Sequence, residues 1–520
     1  MNTPGAGSYL GVRSRWLAEL NEVLRAGVTV SSDGNFGRNV SVQLGATFGG
    51  RPTRTRSETP AASVQARLGQ PVQRQETIAL DQQQEDSIDQ ALGVIAINPA
   101  TGQPWQFLHV TGGLTGGSGR FEEPFGQVTA AVAEAQTTGN QVIYVEAGTN
   151  PGLDGFTIPD QVRVLSTGVP QFLGLAVASP LGGSEVFTVQ LPGSGTGQLP
   201  RLNGASVTAD IFTGRVAMGN NTVLSGFELQ TTGNDERGIL AVNVSGATLD
   251  RNRISTAGDG AHGISAHARN GTLANTTITG NTITTTGTNA EGMYLHAANN
   301  GTLRNVTITG NTVSTTAFIA EGIFLRADSG SELSEALVAG NQVTTAGDAA
   351  RGIFVSTENS HLRDVTIRAN TVVTTGNFNG VFGDASGIFV RSNANGDLRN
   401  VTVVENTVFT SGDQAQAMHL FSNGGGSLSQ VALLGNRIQQ AGQHSVLVRT
   451  NNAAGRLCIA QFRDNISLSP GVFNPGANDL RFEVFGGSTV NFVDFAKVAV
   501  TNTSFGSISG SPTGQPGACP

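Results

Sequence analysis

Asn305–Val313 reads NVTITGNTV, and the same phrase returns along the chain. NTTITGNTI stands at Asn275–Ile283, DVTIRANTV at Asp364–Val372 and NVTVVENTV at Asn400–Val408. The asparagine of GNTV marks the repeat at Asn252, Asn281, Asn311, Asn341, Asn370, Asn406, Asn436 and Asn465. Its steps are 29, 30, 30, 29, 36, 30 and 29 residues. The one long step carries the extra NFNGVFG at Asn377–Gly383, so the period survives a loop insertion. A period this regular over more than 200 residues is a solenoid, in which each unit buries its apolar face against its neighbours.

The type of solenoid follows from which residues recur. Leu303, Val306, Ile308, Asn311 and Val313 fit the spacing of a leucine-rich repeat, but the apolar positions are mostly β-branched. A second strand-like run also stands where such repeats place a helix: EGMYLHA (Glu291–Ala297), EGIFLRA (Glu321–Ala327), RGIFVST (Arg351–Thr357) and SGIFVRS (Ser386–Ser392). Period-two alternation places Ile323 and Leu325 inward and Phe324 and Arg326 outward. The reading is therefore all-β: a single-stranded parallel β-helix with three short strands per coil of about 30 residues, coils stacked roughly 4.8 Å apart. The marker asparagines are read as structural. They are expected to hold the left-handed bend between VTI and TV and to bond amide to amide along the rod.

Composition agrees and excludes several functions. Glycine makes 70 of 520 residues and lysine is nearly absent. Net charge is −8, which gives no electrostatic support for a nucleic-acid partner. No run of 18 apolar residues predicts a membrane-spanning helix. Cys458 and Cys519 are too few for a zinc site; one bridge and two separate thiols remain equal alternatives. No metal or cofactor site is expected.

GGSGRFEEPFGQVTAAVAEAQTTGNQVIYVEAGT (Gly116–Thr149) resembles the entry motif of pectate-lyase-like right-handed β-helix proteins. The resemblance implies an Ala-rich capping helix with Val128, Val132 and Ala135 on one face, then the first coils. With the repeats it spans about Trp105 to Pro470 and implies a right-handed rod. Residues 8–48 alternate in LRAGVTVSSD and NVSVQLGATF around a DGNFGR turn. They resemble the last strands of an inverse-autotransporter barrel of intimin- and invasin-like proteins, and Ala62–Ile78 resembles that family's linker. An ordinary β-hairpin beside the rod is the alternative. The organisation expected is residues 1–50 as a strand segment, 51–103 a polar linker, 104–486 the β-helix, and 487–520 a C-terminal cap and polar tail. The start lacks the basic and apolar regions of a signal peptide, which fits a chain that is part of a longer one.

Three columns along the GIFL strands carry residue types suited to chemistry or binding. Tyr294, Phe324, Phe354 and Phe389 stand in one, either as rings offered to sugars or as a ladder that stabilises the sheet. Glu291 and Glu321 precede the glycines in adjacent coils, and His296, Arg326 and Arg391 stand two residues further on. These nine residues are the candidate ligand-binding set, with Phe378 and Phe382 of the insertion as a wall or lid. Asp259, Asp348, Asp384 and Asp413 skip coils and make no continuous site. The resemblance implies lyase or hydrolase chemistry, yet the hydrolase signatures NTD, DD, GHG and RIK of the fold are missing. The expected function is an exported, surface-exposed, non-catalytic adhesin-like or glycan-binding rod. It would be a monomer, with membrane contact only through the N-terminal segment and a polysaccharide or cell-surface glycan as partner. The alternative is a lyase or glycoside hydrolase acting on an acidic polysaccharide.

Overall fold

The computed structural model describes the backbone of residues 12–19, 24–33 and 37–46, and then residues 96–148, 152–178, 184–378, 380, 383, 385–451, 454–469, 477–493, 495–513 and 519. Two compact units divide the chain at Ile78 and Ala79. The first holds three antiparallel strands, Val12–Glu19, Leu24–Asp33 and Gly37–Ala46, paired in sequence order. The linker resemblance at Ala62–Ile78 lies outside the described residues.

The second unit is a right-handed parallel β-helix. Each regular coil supplies one strand to each of three long sheets, here A, B and C. In the coil that opens at Gly322, Ile323–Asp328 belongs to sheet A, Glu332–Ala339 to sheet B and Gln342–Thr345 to sheet C. Pairing is parallel and in register from coil to coil: Ile323↔Ile353 in A, Val306↔Ala336 in B, Val313↔Val343 in C. The interior is filled by alternate residues of all three strands. Ile323, Leu325, Leu333, Val338 and Val343 are all at most 1 % exposed. Each such side chain contributes roughly 1.5–3 kcal/mol of burial, so one coil alone is marginal and the stack is stable.

The marker asparagines form one continuous hydrogen-bonded row. Asn311 Nδ2 donates to Asn341 Oδ1 at 2.9 Å and to the Ile278 carbonyl at 3.0 Å. The Asn311 Oδ1 accepts from Asn281 Nδ2 and from the Asn281 backbone N–H. The row runs from Asn252 to Asn465 and gains Asn502, which accepts from Asn465 at 3.0 Å. The left-handed bend expected at Asn311 falls one residue earlier, at Gly310 with φ 63°, and likewise at Gly280, Gly340, Ala369 and Glu405. Reversing the chain before the asparagine turns its side chain into the rod, where it can reach the next amide. A second left-handed residue recurs within the sheet B strands at Asn275, Asn305, Glu335, Asp364 and Asn400.

Both ends are covered. Helix α1, Val128–Glu134, buries Val128 and Ala131 over the first coil, with Val132 and Ala135 packed beside them. Residues ahead of the expected boundary at 104 pack onto this unit: Ile97 bridges to Ala176, and buried Asn98 donates to the Gly139 carbonyl. At the other end Phe462, Phe482, Phe492 and Phe505 pack edge to face beneath the short helix α2, Val498–Thr501. Of the two alternatives for the cysteines the bridge is the one formed: Cys458 and Cys519 make a disulfide.

Candidate functional site

Sheet A carries the candidate residues because its strands alternate about the glycine that precedes them. Met293, Leu295 and Ala297 point into the rod, while Tyr294 and His296 point out, and the next coils repeat the pattern. The glycine is required by space. A Cβ on Gly322 would lie 2.2 Å from Cγ1 of Val343 in sheet C. Parallel register then brings equivalent residues into columns: Tyr294↔Phe324↔Phe354↔Phe389 and His296↔Arg326↔Ser356↔Arg391.

The aromatic column is a stack. Ring centroids are 5.2 Å apart for Tyr294–Phe324, 4.4 Å for Phe324–Phe354, 5.0 Å for Phe354–Phe389 and 4.5 Å for Phe389–His419. Phe324, Phe354 and Phe389 are 7, 3 and 3 % exposed. This corrects the expectation of an open strip of rings. The faces that would meet a sugar are occupied by neighbouring rings, and by the Arg351 and Arg391 guanidinium groups over Phe354 at 4.7 and 5.1 Å. Phe378 is exposed, and Phe382 lies outside the described residues.

The carboxylates also differ from their expected place. Glu291 and Glu321 are buried, 4 and 2 % exposed, and do not rim a groove. The Glu291 carboxylate meets the His262 imidazole, and Glu321 Oε1 accepts from Arg351 Nη1 at 2.7 Å. Burial pushes the Glu321 carboxyl up to about 7, the Glu291 charge adds to this, and Arg351 opposes it.

What reaches solvent is a polar chain on one side of the stack. Tyr294 Oη and His296 Nδ1 are 3.1 Å apart, His296 Nε2 and Asp328 Oδ2 2.9 Å, and Arg326 Nε forms an ion pair with the same oxygen at 2.9 Å. Arg326 also reaches Glu358 at 3.8 Å. Burial alone would raise the Asp328 pKa, but the hydrogen bond and charge of His296, with Arg326, hold it below the ordinary carboxylate range. Burial pushes the Tyr294 phenol up, so it stays protonated and its hydroxyl shares a hydrogen bond with His296 Nδ1. The imidazole is thus held between the Tyr294 hydroxyl on one side and the Asp328 carboxylate on the other. One coil earlier, His267 is buried against Phe212 at 4.2 Å and its Nε2 lies 2.7 Å from Ser265 Oγ. Burial first, then the neighbouring His296 and His262, keep its pKa well below the ordinary value.

The structure thus joins Tyr294, His296 and Arg326 in one network, sets Arg391 two coils beyond Arg326, and withdraws the remaining five candidates into packing. Asp328 and Glu358 are the members that sequence reasoning missed. Each stands two residues after the His296–Arg326–Ser356 column on its own strand, so extending the period-two reading by one step would have found them. The GD-turn aspartates accept backbone N–H groups of the following coil, Asp259 from Thr288 and Asp348 from Asn377, both at 2.8 Å. Asp384 lies outside the described residues. Among the described residues no group of three or more His, Cys, Asp or Glu side chains is placed to hold a metal ion.

Among solved structures, the A-module of a mannuronan C-5 epimerase from Azotobacter vinelandii matches 74 % of this chain and 90 % of its own at 12 % identity, with a TM-score of 0.28. A tailspike protein double mutant of E. coli bacteriophage HK620 matches 81 % of this chain and 79 % of its own at 12 % identity, with a TM-score of 0.32. No curated protein matches the sequence. Residues 237–438, the span of the most regular coils, match the family described as a right handed beta helix region.

Proposed function

We propose that this protein is an exported rod that binds a polysaccharide along the outer face of sheet A, without itself transforming it. The observation that carries the reading is the partly exposed chain Tyr294–His296–Asp328–Arg326, which offers polar groups fixed in position by their own hydrogen bonds and ion pair. Prior fixing lowers the ordering cost of binding a flexible, hydroxyl-rich polymer. Because the ring faces are already stacked, recognition rests on these polar groups rather than on sugar–aromatic contact. The Cys458–Cys519 disulfide favours an oxidising, extracytoplasmic location. An adhesin-like role at a bacterial surface, with the N-terminal strands contributing to a membrane barrel, belongs to the same proposal. A panel of immobilised acidic and neutral polysaccharides tests it. Wild-type protein should be retained on at least one member, and His296→Ala/Arg326→Ala should lose that retention while keeping its melting temperature. Retention on none would overturn the reading.

A second reading is favoured by one observation: the Tyr294 hydroxyl is hydrogen-bonded to an imidazole backed by a carboxylate, an arrangement suited to proton transfer. It would make the protein a lyase or related enzyme of acidic polysaccharides. Incubation of each retained polysaccharide with and without Ca²⁺, followed by analysis of chain length and product ends, separates the two. Unchanged polymer supports the binding rod, and shortened or modified polymer supports the enzyme.

A further inference from the structure

Three arginines repeat in or beside one column of sheet A, and their partners differ. Arg326 is bonded to Asp328 and reaches Glu358. Arg449, further along the same column, lies 3.7 Å from Glu483. Arg391 stands between them and, among the described residues, has no carboxylate within ion-pairing distance. Its Nε donates to Ser356 Oγ at 3.1 Å, and its guanidinium lies over the Phe354 ring.

The sequence shows why. Two residues after Arg326 comes Asp328, and the next coil places Glu358 beside it. In the coil of Arg391 the equivalent position is Asn393, followed by Asn423, whose Nδ2 donates to Asn393 Oδ1 at 3.0 Å. The acidic column becomes an amide column where the cation repeats. The charges of Arg351 and Arg326 add to the positive potential there, more than Glu358 and Glu321, whose own partners are Arg326 and Arg351, offset it. A half-buried cation with no carboxylate in ion-pairing distance among the described residues carries a desolvation cost that an arriving anion offsets. Burial, followed by the charges of Arg351 and Arg326, lowers the Arg391 pKa to about 10, which leaves it charged at neutral pH. With Nε held by Ser356, both terminal nitrogens remain for the two oxygens of an anionic group, the pairing that suits a guanidinium fork.

We infer that Arg391 is an anion-recognition point on the sheet A face, taking a carboxylate or sulfate group borne by the bound polysaccharide. The inference rests on the proposed glycan binding and narrows its ligand to an acidic polymer. Arg391 lies three coil steps from His296, about 14 Å at the strand spacing, so the anionic group it holds belongs to a different part of the polymer from the part at His296.

The test measures binding of wild type, Arg391→Gln, Arg391→Lys and Arg449→Gln to polygalacturonate, methyl-esterified polygalacturonate, dextran and dextran sulfate. Wild type should bind at least one acidic polymer and lose affinity for its neutral counterpart by roughly 10–100-fold, the worth of one charge-assisted contact. Arg391→Gln should lose a similar factor on the acidic polymer only. Arg391→Lys should fall between, because it keeps the charge and loses the fork. Arg449→Gln, whose charge is already paired, should bind like wild type. Preference for polygalacturonate assigns a carboxylate, and preference for dextran sulfate a sulfate. If Arg391→Gln does not fold, the comparison is read from Arg391→Lys, expected to weaken acidic binding several-fold. Equal wild-type binding to an acidic polymer and its neutral counterpart, or wild-type-like binding by the Arg391 variants, overturns the inference while leaving glycan binding intact. Binding to no polysaccharide overturns both.

Discussion

At Asn311 one buried side chain makes five hydrogen bonds, three as donor to Ile278, Thr309 and Asn341 and two as acceptor from Asn281. Asn311→Leu leaves the amides of Asn281 and Asn341 short of a partner each. We expect a loss of about 1–3 kcal/mol of stability, measured by denaturant unfolding, the cost of buried unsatisfied groups. Glu321 gives a second residue-scale expectation, with the opposite character. Its carboxyl is pushed up from 4.5 to about 7 in the folded protein. The native state therefore holds a proton that the unfolded chain releases, and this contribution to stability is full below about pH 4.5 and lost as pH rises through 7. His267 and His444 act the other way, since their lowered pKa values cost stability on the acid side. The stability difference between wild type and Glu321→Gln isolates the carboxyl. It should shift against wild type as pH rises from about 4.5 to 7, and a flat difference would refute the assignment.

At the scale of the strand, the coil closes only because sheet A and sheet C approach each other where a glycine opens each GIFL run. Gly292, Gly322 and Gly352 would each place a Cβ 2.2 Å from a valine methyl of sheet C. Gly322→Ala should destabilise the rod by roughly 1–3 kcal/mol, the usual cost of overpacking a filled core. Val343→Ala in the same chain should recover part of that loss, since it removes the opposing methyl. Additive losses in the double variant, measured by thermal melting, would show that space is not the cause. The aromatic column belongs to this scale too. Phe324, Phe354 and Phe389 stack because parallel register repeats one side-chain direction at every coil, and the same register sets Arg326 and Arg391 on one line.

For the whole molecule, the open ends of the rod decide whether the stack persists. Helix α1 covers the first coil, while the phenylalanine cluster, helix α2 and the Cys458–Cys519 disulfide cover the last. The disulfide spans a sequence separation of 61 residues and ties the C-terminal stretch to a sheet B strand. Cys458→Ser should lower stability by roughly 2–5 kcal/mol. Wild type melted in reductant should match the variant melted without it. An unchanged melting temperature would show that the packed phenylalanines close the rod unaided.

The rod itself was legible in the sequence. A 29–30-residue step between identical asparagines, β-branched runs and period-two alternation each report local backbone geometry, and repetition multiplies the signal until one architecture fits. The columns of sheet A followed as well, because parallel register adds coil to coil without further information. Burial and partnership did not follow. Alternation places Phe324 and Glu321 relative to the strand, but only the packed coils show that ring faces close on one another and that Arg351 reaches back to Glu321. The bend residue moved from Asn311 to Gly310 for a similar reason: the amide's partners lie in other coils, about 30 residues away in sequence. Asp328 became a site residue through contacts with His296 in the preceding coil and Arg326 in its own. Periodicity is a property of the chain, and exposure and pairing are properties of the stack, which forms only when distant coils meet.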